Sequence, residues 1–312
     1  MGLRQDISKR IQQGVKWLQR VSFPGFRGRS VYDVGRFFFN SLFDEDLMLR
    51  ASSLAFNFFL AIFPSIIFIF TLLAYIPIDN FQDDLLFQVE RFLPKDAYNL
   101  IISTIDDIVH NQNFSLLSFG FVFALYFSSN AFSSMLTAFN KYVLTEEKRS
   151  WYIARWRSIW LTILVVMVFL AIVIVLRYAD ITITNMSEKG WVNSGLSNYL
   201  FLAFQYFSLV LLVYFIFASL YYFGSAKVAE WNFFSVGSTL ATLLCLITTA
   251  GFTFYVNNFN SYNKLYGSIG TILALMLLIY FNCIVLLVGF ELNSSIDRAE
   301  SLFDEEELKP TE

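Results

Sequence analysis

The most constraining feature of this chain is a long apolar run near its C-terminus, between Tyr266 and Arg298. It holds about twenty consecutive residues without a charge, which is the length that an α-helix needs to cross the hydrocarbon core of a bilayer. Similar runs recur along the chain. The sequence therefore predicts an all-α, polytopic integral membrane protein.

The composition supports a membrane protein and disfavours several functional classes. Hydrophobic residues make up 56% and charged residues 15% of the chain, whereas about a quarter of an average soluble domain is charged. The net charge of −3 is unlike the strongly basic balance of nucleic-acid-binding domains. With a single histidine, His110, and two cysteines inside apolar runs, we expect no metal site, cofactor or catalytic cluster.

Six apolar segments predict membrane-spanning helices, at residues 49–76, 115–138, 159–175, 199–222, 233–255 and 269–291. If the N-terminus is cytoplasmic, 17 of the 22 Lys and Arg residues fall on the cytoplasmic side. Basic residues accumulate in cytoplasmic segments of membrane proteins. This distribution predicts that both termini are cytoplasmic.

The spans divide the chain into three regions. Residues 1–45 predict basic amphipathic helices on the cytoplasmic membrane surface, including a short aromatic-rich helix at 31–43. Residues 46–293 form the transmembrane domain, in which the outside loop 78–114 has the periodicity of two amphipathic helices that cap the outer face. Residues 294–312 predict an acidic cytoplasmic tail, in which the run Asp304-Glu305-Glu306-Glu307 is solvated.

Polar residues recur inside the spans, where they must face protein or a hydrophilic cavity. Arg50, Asn57 and Pro64 are seven residues apart and share one face of the first span. The other candidates for this cavity are Ser129, Asn130, Ser133, Gln205 and Asn282. Two interpretations stay open: a path for an anion or lipid headgroup, or Arg50 at a lipid phosphate with small polar residues joining packed helices.

Two further groups flank the predicted cavity. A segment rich in Asn and Gly precedes the sixth span, and it predicts either a tight helical hairpin or a gate at the outer mouth. Its candidate residues are Ser261, Tyr262, Asn263, Tyr266, Gly267 and Gly270. The candidate residues for the inner rim are Lys141, Arg155, Arg157, Glu291 and Asn293.

Several motifs together carry a resemblance to a known family. They are Arg50-Ala51-x-x-Leu54-Ala55-Phe56 with Phe63-Pro64, Ala138-x-Asn140-x-Tyr142, Glu146-Glu147-Lys148-Arg149, Trp231, Phe259-x-Ser261-Tyr262-Asn263-x-x-Tyr266-Gly267-Ser268-Ile269-Gly270 and Gly289-x-Glu291-Leu292-Asn293. Over residues 30–298 the chain resembles the YihY/virulence factor BrkB family of bacterial inner-membrane proteins. One departure is Gly224, where similar proteins often have Pro.

The resemblance implies a multi-spanning helical protein of the bacterial inner membrane, in a family with members linked to serum resistance or envelope-lipid export. A ribonuclease label once attached to the family finds no support, because the cytoplasmic segments have no histidine and no compact acidic site. We therefore expect a non-enzymatic protein.

Two functional hypotheses follow. The favoured one is a transporter or flippase-like protein for a lipid or an amphiphilic anion, and the alternative is a non-transporting scaffold of the cell envelope. A membrane enzyme that uses Glu291 ranks last. Membrane lipids, anionic ones in particular, are the expected partners; assembly into a homo-oligomer stays open.

Overall fold

A computed structural model describes residues 13, 15–43, 46–73, 102, 114–140, 151–189, 194–225, 232–258 and 268–307. Within these ranges the regular secondary structure is α-helical and no strand occurs, which confirms the all-α class. The helices are α1 (Val31–Leu42), α2 (Asp46–Leu73), α3 (Phe114–Asn140), α4 (Trp151–Glu188), α5 (Ser194–Gly224), α6 (Val236–Asn258) and α7 (Ser268–Glu307). The predicted outer cap and the first twelve residues lie outside the described ranges, apart from single residues of the cap.

Five segments of the described helices are long and apolar enough to cross a membrane. They are Asp46–Ser65, Ser118–Asn140, Tyr199–Gly224, Val236–Val256 and Ile272–Ser301. Each overlaps one predicted span, so the polytopic architecture is confirmed. The predicted span at 159–175 falls inside the 38-residue helix α4, which is not one of the five; the total of six stays a prediction.

The six long helices form a closed ring. Each helix from α2 to α6 packs against the next helix along the chain, and α7 also packs against α2. Helix α1 lies on α7. We refer to the end of the ring where α1 lies as the α1 end.

The buried core of the described residues is concentrated at the α1 end. Its centre is aromatic: Phe139 of α3 stacks on Phe290 of α7 with 3.9 Å between ring centroids and 5° between planes. Tyr221 of α5 packs edge-on against both rings. Because stacked and edge-to-face aromatic pairs add to the free energy gained from burial, this cluster ties three helices together at one end of the ring.

Helix α7 extends beyond the predicted sixth span, which ends at Glu291. It continues to Glu307, and Leu292, Ile296 and Ala299 form a second buried cluster with Val34 of α1 and Phe26. Residues 294–299 of the predicted tail thus continue the helix and contribute to this buried cluster, and the predicted division at 293 stays a prediction. The helix continues because no Gly or Pro interrupts residues 290–308, and the spacing of its apolar residues places them on one face.

Helix α1 matches its prediction closely. A turn at 23–28 precedes it, with Gly25 at φ 96°, a conformation that favours glycine. Ser30 caps the helix by accepting a hydrogen bond from the backbone N–H of Asp33 at 3.1 Å. The turn and cap set α1 at the angle that lays Val34 on α7.

Candidate functional site

Arg50 of α2 is the centre of the candidate site. Its Nη1 donates to the carbonyl oxygen of Ala138 on α3 at 2.8 Å. Both Nη atoms donate to Oε1 of Glu291 on α7, each at 3.1 Å. The structure thus joins a residue predicted for the cavity with one predicted for the inner rim, and Arg50 links three helices.

Glu291 has a second cationic partner, Arg298, which is not among the residues predicted for the site. Nη2 of Arg298 lies 3.3 Å from Oε2 of Glu291 and also donates to Oγ of Ser41 on α1 at 2.8 Å. The guanidinium of Arg298 sits over the ring of Phe37, 5.9 Å from its centroid. A usable signal was present, because Arg298 lies seven residues after Glu291 and therefore on the same face of the helix.

We call Arg50, Glu291, Arg298 and Ser41 the charge network. The side chain of Glu291 is 1% exposed, and those of Arg50 and Arg298 are 12% and 17% exposed. Charges at such depth are costly unless they are paired and hydrogen-bonded, and inside a membrane domain they mark functional sites by default. The network holds α1, α2, α3 and α7 together at the α1 end.

Most other residues predicted for the cavity make their hydrogen bonds within their own helix. The amide of Asn57 donates to the carbonyl oxygen of Ser53, and the hydroxyl of Ser129 donates to that of Tyr126, both at 2.9 Å. The carbonyl oxygen of Ser133 accepts from Thr137 at 3.0 Å. Pro64 lies inside α2, which continues to Leu73, and Gln205 is half-buried on α5.

A second polar cluster joins α3 and α4. Nη1 of Arg155 donates to Oδ1 of Asn130, and its guanidinium lies 5.3 Å from the ring centroid of Tyr126. Arg157, also predicted for the inner rim, is half-buried on α4. The structure thus pairs one predicted rim residue with one predicted cavity residue, separately from the charge network. Lys141 lies outside the described residues.

The predicted rim residue Asn293 anchors the start of α6. Its Oδ1 accepts from the backbone N–H of Gly237 at 2.8 Å, and its Nδ2 donates to Oγ of Ser235 at 2.9 Å. Deeper in the bundle, Asn282 accepts from Sγ of Cys245 at 3.1 Å. Both asparagines therefore link α7 to α6 or to the residue just before it by hydrogen bonds, which gives each of them a role in packing.

The same helices cross at two glycines. A Cβ atom on Gly289 would meet the hydroxyl of Tyr221 and would lie 2.7 Å from the carbonyl oxygen of Gly237. A Cβ on Gly237 would lie 2.6 Å from Oδ1 of Asn293. Only glycine allows the two backbones this close, since each added methyl would overlap a backbone or side-chain atom.

Removing the hydroxyl of Tyr221 tests how much this packing contributes to stability. This hydroxyl is buried and donates to the carbonyl oxygen of Leu286 at 2.8 Å. We expect Tyr221→Phe to lower the free energy of unfolding by about 1 kcal/mol, the usual worth of one hydrogen bond. A denaturation titration in mixed micelles measures this; a loss within experimental error would show that the hydroxyl contributes nothing.

Among the residues predicted for the outer mouth, Gly270 is buried on α7. Ser261, Tyr262, Asn263, Tyr266 and Gly267 lie outside the described residues. In the part of the chain that the structure covers, no three His, Cys, Asp or Glu side chains group in a way that could hold a metal ion.

Comparison with known proteins shows that the chain is similar to members of one family. A sequence model with the description "Virulence factor BrkB" matches residues 38–311, a range that includes the whole charge network. The ribonuclease-like protein YfkH of Bacillus subtilis is 34% identical over 257 residues, which cover 82% of this chain and 92% of YfkH.

More distant relatives carry only a membrane-protein name. A UPF0761 membrane protein of Xanthomonas euvesicatoria is 23% identical over 292 residues, 92% of this chain and 65% of the relative. A UPF0761 membrane protein of Vibrio campbellii is 28% identical over 99 residues, 32% of either chain. No solved structure matches the chain.

Proposed function

The chain belongs to the virulence factor BrkB family of membrane proteins, and from that premise we propose that it is a transporter or flippase-like protein for a lipid or an amphiphilic anion. The observation that supports this proposal is the charge network, in which Arg50 is held by a carboxylate inside the helical ring. Two oxygens of a phosphate can accept a pair of hydrogen bonds from a guanidinium, as the two oxygens of a carboxylate can.

The proposed mechanism is an exchange of anionic partners at Arg50. The α1 end is closed by the aromatic core and by the Arg50–Glu291 pair. Opening this end requires α7 to move away from α2 and α3, which breaks that pair and exposes a costly charge. An anionic headgroup at Arg50 compensates for the lost carboxylate, so the ligand favours the open state through its higher affinity for it.

We propose that the protein resides in the bacterial inner membrane with both termini in the cytoplasm. The distribution of Lys and Arg supports this orientation. The α1 end then faces the cytoplasm, and the network forms an inner gate next to the anionic lipids of that leaflet. Anionic lipids are the expected partners.

Native mass spectrometry of the detergent-purified protein tests the exchange. We expect the wild type to retain an anionic lipid and Arg50→Ala to lose it. Glu291→Gln removes the competing carboxylate and keeps the side-chain shape, so retention should increase. The matched control is Lys189→Ala, which removes an exposed cation directly after α4 and should leave retention unchanged.

The proposed exchange of anionic partners is refuted if folded Arg50→Ala and wild type retain the same lipids in the same amounts. It is also wrong if folded Glu291→Gln retains less lipid than the wild type, because the carboxylate would then assist binding. Size-exclusion profile and helical content establish that each variant is folded.

A non-transporting scaffold is the competing function, and one observation favours it. The carboxylate of Glu291 is fully buried and satisfied by groups of the protein itself, as expected for a fixed structural element. Under this hypothesis no network variant changes lipid retention. A protein partner would co-purify with the full chain and be lost when residues 78–114 are deleted.

We further propose that the protein is not an enzyme, although one relative is named ribonuclease-like. Glu291 is the acidic residue of the site, and both its oxygens are engaged by guanidinium groups, which disfavours proton transfer to a substrate. Purified protein should not hydrolyse RNA above the level of Glu291→Gln. RNA hydrolysis lost only in that variant would refute this.

A further inference from the structure

Helix α1 has two faces with opposite environments. One face carries Val34 and Ser41, which are buried, and the other carries Arg36, Phe39 and Phe43, which are exposed. Phe39 is 57% exposed and Phe43 is 84% exposed. The exposed residues are three or four positions apart and therefore line one stripe of the helix and its C-terminal cap. We call Arg36, Phe39 and Phe43 the outer stripe.

The outer stripe ends a few residues before a membrane-spanning segment in the chain. Helix α2 begins at Asp46, a few residues after α1 ends at Leu42. Leu49 in its first turn is 69% exposed, and Phe56 two turns further is 52% exposed. These residues belong to the candidate span Asp46–Ser65, whose exposed apolar side chains are covered by lipid. The phenylalanines of α1 thus lie where that lipid-covered surface begins.

The charge on the outer stripe fits the same surroundings. Arg36 stands one turn before Phe39 and is exposed. A phenylalanine stripe that carries an arginine suits the headgroup layer, where rings enter the acyl boundary and the guanidinium meets lipid phosphate.

The opposite face of α1 contacts the charge network. Ser41 accepts the hydrogen bond from Arg298 at 2.8 Å, and the ring of Phe37 lies under the same guanidinium. Val34 belongs to the cluster that includes Ile296 and Ala299 of α7. The position of α1 therefore sets the position of Arg298, which bonds Glu291.

We infer that α1 is an interfacial helix whose outer stripe lies in the lipid headgroup layer, and whose inner face holds Arg298 against Glu291. The lipid is the occupant because the stripe ends three residues before the membrane-spanning segment that begins at Asp46, and because it carries a phosphate-binding cation. This inference does not depend on transport, and it holds equally for a scaffold.

The position of the outer stripe can be measured with nitroxide labels on full-length protein in phosphatidylglycerol–phosphatidylcholine vesicles. Cys245 and Cys283 are first replaced by alanine. Labels at Phe39→Cys and Phe43→Cys should collide more often with oxygen than with a water-soluble nickel chelate. Phe56→Cys on α2 is the lipid reference, and Asn232→Cys, exposed before α6, is the water reference.

Two results would overturn the inference. If the label at position 43 meets the nickel chelate as often as the label at position 232, the stripe lies in water. If neither reagent reaches the label and its spectrum is immobilised, a protein partner or a second copy of the chain covers the stripe.

A second measurement tests the link to Arg298. In the same vesicles, the double variant Phe39→Ser with Phe43→Ser should speed amide hydrogen exchange of residues 292–300 several-fold, because α1 loses its lipid contacts and releases α7. Asn40→Ser, a change beside the stripe, should leave exchange unchanged. Unaltered exchange in the folded double variant would show that lipid contact does not hold α1 on α7.

Discussion

Replacing Glu291 with alanine is expected to lower the free energy of unfolding by about 3–5 kcal/mol, the range for removing one member of a buried ion pair. The variant leaves two guanidinium groups at the α1 end without the carboxylate that they share. It also releases Arg50 and Arg298 from a common anchor, which loosens α7 against α2 and α1. A denaturation titration in mixed micelles measures the loss.

The matched control is Glu300→Ala on the same helix. Glu300 also pairs with an arginine, Arg27, but its side chain is 31% exposed, so we expect a loss below about 1 kcal/mol. A second variant replaces Arg50, Glu291 and Arg298 together by methionine, leucine and methionine. It should recover much of the stability lost in Glu291→Ala, because no unpaired charge remains. Equal, small losses for Glu291→Ala and Glu300→Ala would contradict a buried network.

The second large effect is expected at the crossing of α6 and α7. Gly237→Ala introduces a Cβ that would overlap the carbonyl oxygen of Gly289 and lie 2.6 Å from Oδ1 of Asn293. The carbonyl oxygen of Gly289 belongs to the helix backbone and cannot rotate away as the end of a flexible side chain can. The two helices must therefore separate. We expect the free energy of unfolding to fall by about 1–3 kcal/mol, as in other overpacked cores, with loss of the Gly237–Asn293 hydrogen bond.

Gly251→Ala on the same helix is the control. A Cβ at Gly251 meets nothing within 4 Å, so this change should leave stability unchanged or raise it by up to about 1 kcal/mol through helix propensity. Combining Gly237→Ala with Gly289→Ala should cost less than the two single losses added, because one separation of the helices relieves both overlaps. Equal effects of Gly237→Ala and Gly251→Ala would show that the crossing is not tightly packed.

The helices could be predicted from sequence because the length and apolar composition of each span are properties of a short stretch of chain. A charge-free apolar run that spans a bilayer has to form a helix. The helices α2 and α7 could therefore be predicted without knowing which helices pack against them. The extension of α7 was missed because the prediction ended the helix at the first charge, Glu291. The apolar spacing of Leu292, Ile296 and Ala299 was present in the sequence, but it became decisive only with α1 packed against it.

The sequence identified Arg50 and Glu291 as candidate residues of the site, but it did not predict that they contact each other. Arg50 and Glu291 were each singled out as ionisable residues at the end of a span, and the sequence placed both near the same side of the membrane. Their contact joins residues 241 positions apart and depends on α7 closing the ring against α2. Asn57 shares the face of Arg50, yet its amide bonds within its own helix, because a shared face does not determine a partner.

Whether Arg50 serves the passage of an anionic lipid can be measured in reconstituted vesicles. The measurement is the rate at which a headgroup-labelled phosphatidylglycerol in the inner leaflet becomes accessible to a membrane-impermeant quencher. We expect faster exposure with wild type than in protein-free vesicles, little acceleration of a labelled neutral lipid, and loss of the effect in folded Arg50→Ala. Wild-type rates equal to those of protein-free vesicles, or full activity in Arg50→Ala, would contradict this expectation.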